Sequence, residues 1–130
     1  MCLALGGSAA AQTATLVIGV EDYDRIADVR RADSVYALNA MLRSGVRSEA
    51  NPDSATIQSQ VARFETDGRV ATRQLVVLSG RFVHSATETY FLASDARPAS
   101  LAETSATALP LSTVLAILAE TPGDAVLALA

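Results

Sequence analysis

The chain is 130 residues long and 50% hydrophobic, which gives enough length and apolar content for one folded domain. Its single cysteine, Cys2, and single histidine, His84, exclude an intramolecular disulfide and a structural zinc site, which takes about four Cys or His ligands. The net charge is −4 and the ten basic residues are scattered arginines, so we expect no nucleic-acid partner, and no apolar run is long enough for a transmembrane helix.

Residues 1–12 (MCLALGGSAAAQ) are expected to lie outside the folded domain. A short apolar stretch followed by small residues resembles the end of a secretory signal peptide with a cleavage site before Gln12, although the charged start of such a peptide is missing. This interpretation predicts a periplasmic or secreted protein. The alternative is a disordered Ala/Gly leader on a cytoplasmic protein, and in both cases the domain spans residues 13–130.

The first half of the domain predicts one strand and two helices. The β-branched apolar run Thr13–Val20 is typical of a buried strand. A first helix is predicted before Gly45 from four apolar residues at helical spacing, namely Val35, Leu38, Met41 and Leu42. A second helix is predicted from Ser54, a candidate N-cap, with an inward face made by Ile57, Val61 and Phe64.

The second half predicts a buried strand over Arg73–Ser79, stopped by Gly80. The apolar segments Phe82–Val83 and Tyr90–Leu92 flank a polar stretch and indicate a hairpin. Residues 95–110, rich in Ala, Ser and Thr, are expected to form a loop.

The chain closes with a helix and a strand. Ser112 is expected to cap a helix over Thr113–Glu120, whose inward residues are Val114, Ile117 and Leu118. The apolar run Ala125–Ala130 predicts a last strand. Alternation of strands and helices indicates an α/β fold with a mainly parallel sheet.

Motifs at the end of the second strand and in the hairpin carry a resemblance to a known family. Ser79-Gly80-Arg81 is followed, nine residues after Arg81, by the segment Tyr90–Ala96 (YFLASDA). This pattern resembles the caspase-like peptidases of bacteria, the metacaspase and paracaspase relatives. Those proteins place Ser-Gly-His-Gly at the end of a central strand and Tyr-Leu-Leu-Pro-x-Asp-Ala on the hairpin that follows.

Further segments resemble the family in the same order. They are Leu16–Val20 with Tyr23 (first strand), Ala32–Ser34 (start of the first helix), Leu111–Leu115 (helix before the nucleophile strand) and Ala125–Ala130 (the strand ending in Asp-x-Cys). The resemblance covers roughly residues 13–130. It implies a caspase-like sandwich with a mainly parallel central sheet flanked by helices, plus a β-hairpin, and this chain corresponds to the larger half of that fold.

The positions that carry the family's chemistry are substituted here. Arg81 stands at the catalytic histidine position, Ala130 at the cysteine position, and Ala128 at the acidic position that helps bind a basic substrate residue. A guanidinium stays protonated at physiological pH and cannot act as a base, and alanine carries no nucleophile. We therefore expect no catalytic residues, and the sequence offers no motif for a metal or a cofactor.

The residues that the resemblance brings to this region are called the relic cleft here. They are Asp33, Ser79, Gly80, Arg81, Tyr90, Asp95 and Ala128. Within it, Arg81 is expected either to be solvated at a strand end or to pair with a carboxylate such as Asp33 or Asp95.

Three hypotheses about function follow. The first is a pseudo-peptidase that binds a protein or peptide, in a regulatory role, through the relic cleft or an exposed sheet edge. The second is an active cysteine endopeptidase that cleaves after basic residues, with the alignment shifted or the catalytic residues supplied from elsewhere in the chain. The third is a nonfunctional fragment that does not fold. The last strand is also expected to leave an exposed edge through which the chain can self-associate.

Overall fold

Strands form in this protein where β-branched and large apolar residues run together, and helices form where apolar residues recur every three or four positions. The computed structural model describes residues 13–28, 51–97, 100–120 and 123–129. The strands are β1 (Thr13–Gly19), β2 (Arg73–Ser79), β3 (Phe82–His84), β4 (Thr89–Phe91), β5 (Leu109–Pro110) and β6 (Asp124–Leu129). The helices are α1 (Ser54–Gly68), α2 (Leu101–Thr107) and α3 (Leu111–Ala119).

Two small sheets organise the described part of the chain. A parallel sheet has the strand order β1-β2-β6, with β2 in the centre, and an antiparallel sheet has the order β3-β4-β5. The predicted α/β class, the mainly parallel sheet and the hairpin of β3 and β4 are therefore confirmed. No helix in the described ranges has the length and hydropathy needed to cross a bilayer.

The core is formed by the parallel sheet, by helix α1, which contacts β1, and by helix α3, which contacts β4 and β5. The inward residues predicted for the two helices are buried, which confirms both helix faces; they are Ile57, Val61, Phe64, Val114, Ile117 and Leu118. The register sets Leu16 beside Val76 and Val76 beside Leu127, so one face of all three strands points toward this core.

The loop predicted over residues 95–110 is wrong, because it contains α2 and β5. The side chain of Ser100 accepts a hydrogen bond from the N–H of Glu103 and caps α2. The Ser-x-x-Glu spacing was a helix-start signal that the surrounding Ala, Ser and Thr composition obscured. Leu109 on β5 is buried in the core, and β5 pairs with β4, so the end of this segment is held in the antiparallel sheet.

Both predicted N-caps are corrected by the structure. Asp53, not Ser54, caps α1 through a 2.8 Å hydrogen bond from the N–H of Thr56. At α3 the N-cap residue is Pro110, which offers no side-chain acceptor. The predicted helix before Gly45, the leader 1–12, Asp33 and Ala130 lie outside the described residues.

The start of α3 is held by a carboxylate from the hairpin. Both the hydroxyl and the N–H of Ser112 donate to Glu88, and the N–H of Thr89 donates to the same carboxylate. The Ser112 hydroxyl is the main cause that lowers the pKa of Glu88, while desolvation opposes it. A charged acceptor at the N-terminus of a helix also interacts favourably with the helix dipole.

We expect Glu88→Gln to lower the melting temperature at pH 7, because the charge-assisted hydrogen bonds to α3 are lost. Since folding lowers the pKa of Glu88, its contribution to stability is present above the unfolded-state value of about 4.3 and is lost as the pH falls through the lower folded-state value. The difference between wild type and variant should therefore shrink as melting curves are recorded further below pH 4. Asp24→Asn, which removes a charge from an exposed side chain, is the control. A difference in melting temperature between wild type and Glu88→Gln that is the same at all pH values would contradict a role for the Glu88 charge.

Candidate site at the end of the central strand

The carboxyl end of β2 is packed closely against the end of β1. Ser79 is fully buried, pairs with Gly19 in the sheet, and accepts a 2.9 Å hydrogen bond from the N–H of Val20 at its carbonyl. The Ser79 hydroxyl itself has no hydrogen-bond partner in the part of the chain that the structure describes. The following residue, Gly80, has φ +156° and turns the chain out of the sheet.

Tyr23 closes this turn from the loop after β1. Its hydroxyl accepts a 2.7 Å hydrogen bond from the N–H of Arg81, and its own N–H donates to a carboxylate oxygen of Asp28 at 2.9 Å. Burial raises the pKa of the Tyr23 phenol, although the bond from Arg81 opposes this. A neutral phenol therefore joins the loop to the end of β2.

Arg81 is held by main-chain carbonyls. Its Nε donates to the carbonyl of Ala27 at 2.6 Å, and an Nη donates to the carbonyl of Asp28 at 3.3 Å. The guanidinium is thus anchored to the loop after β1 through two exposed hydrogen bonds, while Asp33, one of its expected partners, lies outside the described residues. Together with its N–H on Tyr23, these bonds make Arg81 a clamp between β2 and that loop.

Asp95 lies at the start of α1. Its two carboxylate oxygens accept from the N–H of Ser54 at 2.9 Å and from the Ser54 hydroxyl at 3.0 Å. This contact explains why Ser54 does not serve as the N-cap, since its hydroxyl already donates to Asp95. Asp95 therefore anchors the segment after β4 to α1.

Sequence reasoning missed Asn51. This residue has φ +52°, a left-handed conformation that asparagine tolerates better than most residues. Its side-chain oxygen accepts from the N–H groups of Glu21 and Asp22 at 2.7 and 3.0 Å, and its Nδ2 donates to the Asp22 carboxylate at 3.2 Å. The Asn-Pro turn at residues 51–52 was the available signal, but nothing local indicated a contact with the loop that carries Tyr23.

Tyr90 and Ala128, two further relic-cleft residues that the structure describes, lie on other strands. Tyr90 is buried on β4, with its hydroxyl 3.3 Å from the Ser105 hydroxyl of α2. Ala128 is exposed on β6, in register with Val77 of β2. The structure thus brings together Ser79, Gly80 and Arg81 with Tyr23.

The histidine considered for catalysis lies on the hairpin. His84 is exposed at the end of β3, and its Nδ1 is 3.2 Å from the hydroxyl of Thr89 on β4. Cys2, the other half of any Cys–His pair, lies outside the described residues. Within the described ranges, no three His, Cys, Asp or Glu side chains are grouped so that they could hold a metal ion.

In comparisons with models of known protein families and with curated proteins, nothing matches this chain. The caspase-like resemblance therefore rests on the sequence motifs alone.

We expect Tyr23→Phe to lower the free energy of unfolding by about 1–3 kcal/mol, because the N–H of Arg81 would be left without its acceptor in a partly buried place. Urea unfolding followed by circular dichroism measures the loss. Tyr90→Phe is the matched control, since the hydroxyl there contacts an exposed serine that water can satisfy. Equal losses in the two variants would show that the hydrogen bond between Tyr23 and Arg81 contributes no more to the free energy of unfolding than the contact between Tyr90 and Ser105.

Proposed function

We propose that this chain is a caspase-like domain without peptidase chemistry, which works by binding a protein partner. The observation that carries the proposal is the hydrogen bonding of the Arg81 guanidinium. At the position where the family has its catalytic base, the guanidinium is bonded to the carbonyls of Ala27 and Asp28. This side chain is a permanent cation that is bonded to main-chain carbonyls, so Arg81 could not accept a proton from a thiol.

The order of the elements supports the caspase-like part of the proposal. The Ser-Gly-Arg segment follows β2, the central strand of the described parallel sheet, and the hairpin follows directly. The strand that would carry the nucleophile, β6, lies beside β2 and parallel to it. The family's two catalytic positions are expected at the carboxyl ends of two neighbouring strands, here β2 and β6. Leu78 of β2 and Leu129 of β6 are the last described pair of residues between these strands.

Binding is proposed at the outer edge of β6, called the β6 edge here. Within the described residues β6 pairs on one side only, with β2, so its other side offers main-chain N–H and C=O groups. A protein strand added there would gain main-chain hydrogen bonds along the whole of β6, with side-chain contacts on both faces.

Peptide hydrolysis tests the loss of chemistry. The purified chain should not hydrolyse Arg- or Lys-terminated peptide substrates above the buffer rate, with or without a thiol-alkylating reagent, and His84→Ala should change nothing. Thiol-sensitive turnover that His84→Ala abolishes would overturn the proposal in favour of a cysteine endopeptidase. A cooperative thermal transition in circular dichroism, recorded on the same sample, would distinguish a folded domain, whether inactive or active, from an unfolded fragment.

A further inference from the structure

Helix α3 carries no charge of its own. Leu111–Ala119 contains apolar residues and two hydroxyl residues, with no acidic residue in the first turn and no basic residue in the last. Its N-cap residue, Pro110, has no side-chain acceptor. The partial positive charge at the start of the helix and the partial negative charge at its end can therefore be stabilised only by groups from outside the helix.

Glu88 is the outside group at the start of α3. Its carboxylate lies in the hairpin and accepts from both the hydroxyl and the N–H of Ser112. His84, the titratable residue of β3, has its Nδ1 3.2 Å from the Thr89 hydroxyl instead. Because an ionised acceptor makes stronger hydrogen bonds than a neutral one, the contact with Ser112 weakens when Glu88 is protonated.

Glu120 stands at the end of α3, where the local charges are unfavourable. It is the C-cap residue and lies at the negative end of the helix dipole. Its carboxyl is within hydrogen-bond reach of Glu65, which lies in the last turn of α1. Two ionised carboxylates repel each other at this distance, whereas one shared proton lets a carboxyl donate to a carboxylate.

Arg69 is the cation of this cluster. One Nη lies 3.9 Å from a carboxylate oxygen of Glu65, and its side chain is exposed. The hydrogen bond with Glu65 is the main cause that raises the pKa of Glu120, the charge of Glu65 adds to it, and Arg69 opposes it. Arg73 and Asp124, two further charged residues at this end of the sheet, lie beside each other in the register of β2 and β6. Arg69 therefore reduces the repulsion between the carboxylates but does not remove it.

We propose that α3 is held by a proton-dependent device: an ionised Glu88 holds its start, and one proton shared by Glu65 and Glu120 holds its end. When the pH rises, that proton leaves for solvent, the two carboxylates repel, and the end of α3 loosens from α1. Only residues 121–123 separate Glu120 from β6, so the pair also affects how firmly the last strand is held. The device goes beyond the proposed function, since it requires neither a partner nor peptide chemistry.

The two ends of α3 respond to pH in opposite directions. Because folding lowers the pKa of Glu88, its contribution is present above the unfolded-state value of about 4.3 and is lost as the pH falls through the folded-state value. Because folding raises the pKa of Glu120, its contribution is present below about 4.3 and is lost as the pH rises through the higher folded-state value. Between the two folded-state values, both ends are held.

Amide hydrogen exchange of the whole chain, followed by NMR at low ionic strength, tests the end of α3. The protection factors of Ile117 and Leu118, compared with Val61 in α1, should rise roughly two- to fivefold from about pH 7.5 to about pH 5. Low salt is used because salt screens exposed charges. Glu88→Gln should keep this rise, because Glu88 is ionised over the whole of that range.

Glu120→Gln replaces the shared proton by an amide that can donate to an ionised Glu65 at any pH. In this variant, the protection of Ile117 at about pH 7.5 should increase roughly two- to fivefold and no longer depend on pH over that range. Asp67→Asn is the matched control, because it removes an exposed carboxylate from the same turn of α1 and leaves the contact between Glu65 and Glu120 in place. It should keep the pH dependence of the wild type.

The titration of the Glu120 side-chain carboxyl, followed by NMR, supplies a second measurement. Its midpoint should lie above the ordinary value of about 4.3 in the wild type and fall in Glu65→Gln. A midpoint that Glu65→Gln does not lower, protection of Ile117 that does not change with pH, or equal protection in Glu120→Gln and Asp67→Asn would each overturn the inference. None of these outcomes bears on peptide hydrolysis, which tests the proposed function separately.

Discussion

We expect Gly80→Ala to lower the free energy of unfolding by about 2–5 kcal/mol. Gly80 has φ +156°, which L-residues rarely adopt. A Cβ built there would lie 2.7 Å from the Tyr23 hydroxyl and 3.1 Å from the carbonyl oxygen of Val20. The same clash would push Tyr23 away from the N–H of Arg81, so the substitution should cause both strain and loss of the clamp.

Urea unfolding of Gly80→Ala beside Gly68→Ala isolates this effect. Gly68 ends α1, and the atom that a Cβ would meet there is the amide nitrogen at the end of the Gln74 side chain, whereas at Gly80 it would also meet the main-chain oxygen of Val20. Alanine also gains about 0.5–1 kcal/mol over glycine in a helix, so Gly68→Ala should change stability by no more than about 1 kcal/mol. Similar losses of unfolding free energy in both variants would mean that the close approach of Gly80 to Tyr23 is not the cause of the loss in Gly80→Ala.

Phe91→Ala should cost about 3–5 kcal/mol of unfolding free energy, a large part of the 5–15 kcal/mol that holds a typical domain together. Phe91 is the largest of the fully buried side chains among the described residues. Its ring centroid lies 5.2 Å from that of Phe82, with the two planes tilted by 57°. It also lies next to Gly80, so it packs the hairpin against the end of the central strand.

Phe82→Ala is the matched control for this variant. Both substitutions remove the same ring pair, but Phe82 is only half-buried, so its loss should be clearly smaller. Chemical denaturation of the two variants at one temperature compares them directly. If Phe82→Ala costs as much as Phe91→Ala, the hairpin contributes through the ring pair alone and not through burial of Phe91.

The elements that could be predicted from the sequence are those whose signal is local. Apolar side chains at Ile57, Val61 and Phe64 can share one face only in a helix, and β-branched runs such as the one in β1 fit a buried strand. These preferences act over a few neighbouring residues, so the buried faces followed from periodicity. Capping is less certain even locally: Asp53 and Ser54 are both suitable caps, and Asp95 decides between them by binding Ser54.

The candidate site depended on contacts between distant parts of the chain. The Arg81 guanidinium could bond to any nearby acceptor, and its carbonyl partner on Ala27 lies 54 positions away. Asp95 and Ser54 are 41 positions apart, and Asn51 reaches Glu21 across 30. Motif order could place Arg81 at the end of a central strand, but it could not show that this side chain clamps a loop.

By itself, the sequence determined the α/β class, the parallel strands, the hairpin and the inward helix faces, because side-chain size and β-branching act through short-range preferences. It also carried the substitutions at Arg81, Ala128 and Ala130, on which the absence of peptidase chemistry is proposed. Only the tertiary structure decided what Arg81 binds, which side chain holds the start of α3, and which carboxyl lies beside Glu120 at its end. Those outcomes depend on which hydrogen-bond acceptors and which apolar surfaces folding brings within a few ångströms, and local sequence does not encode that.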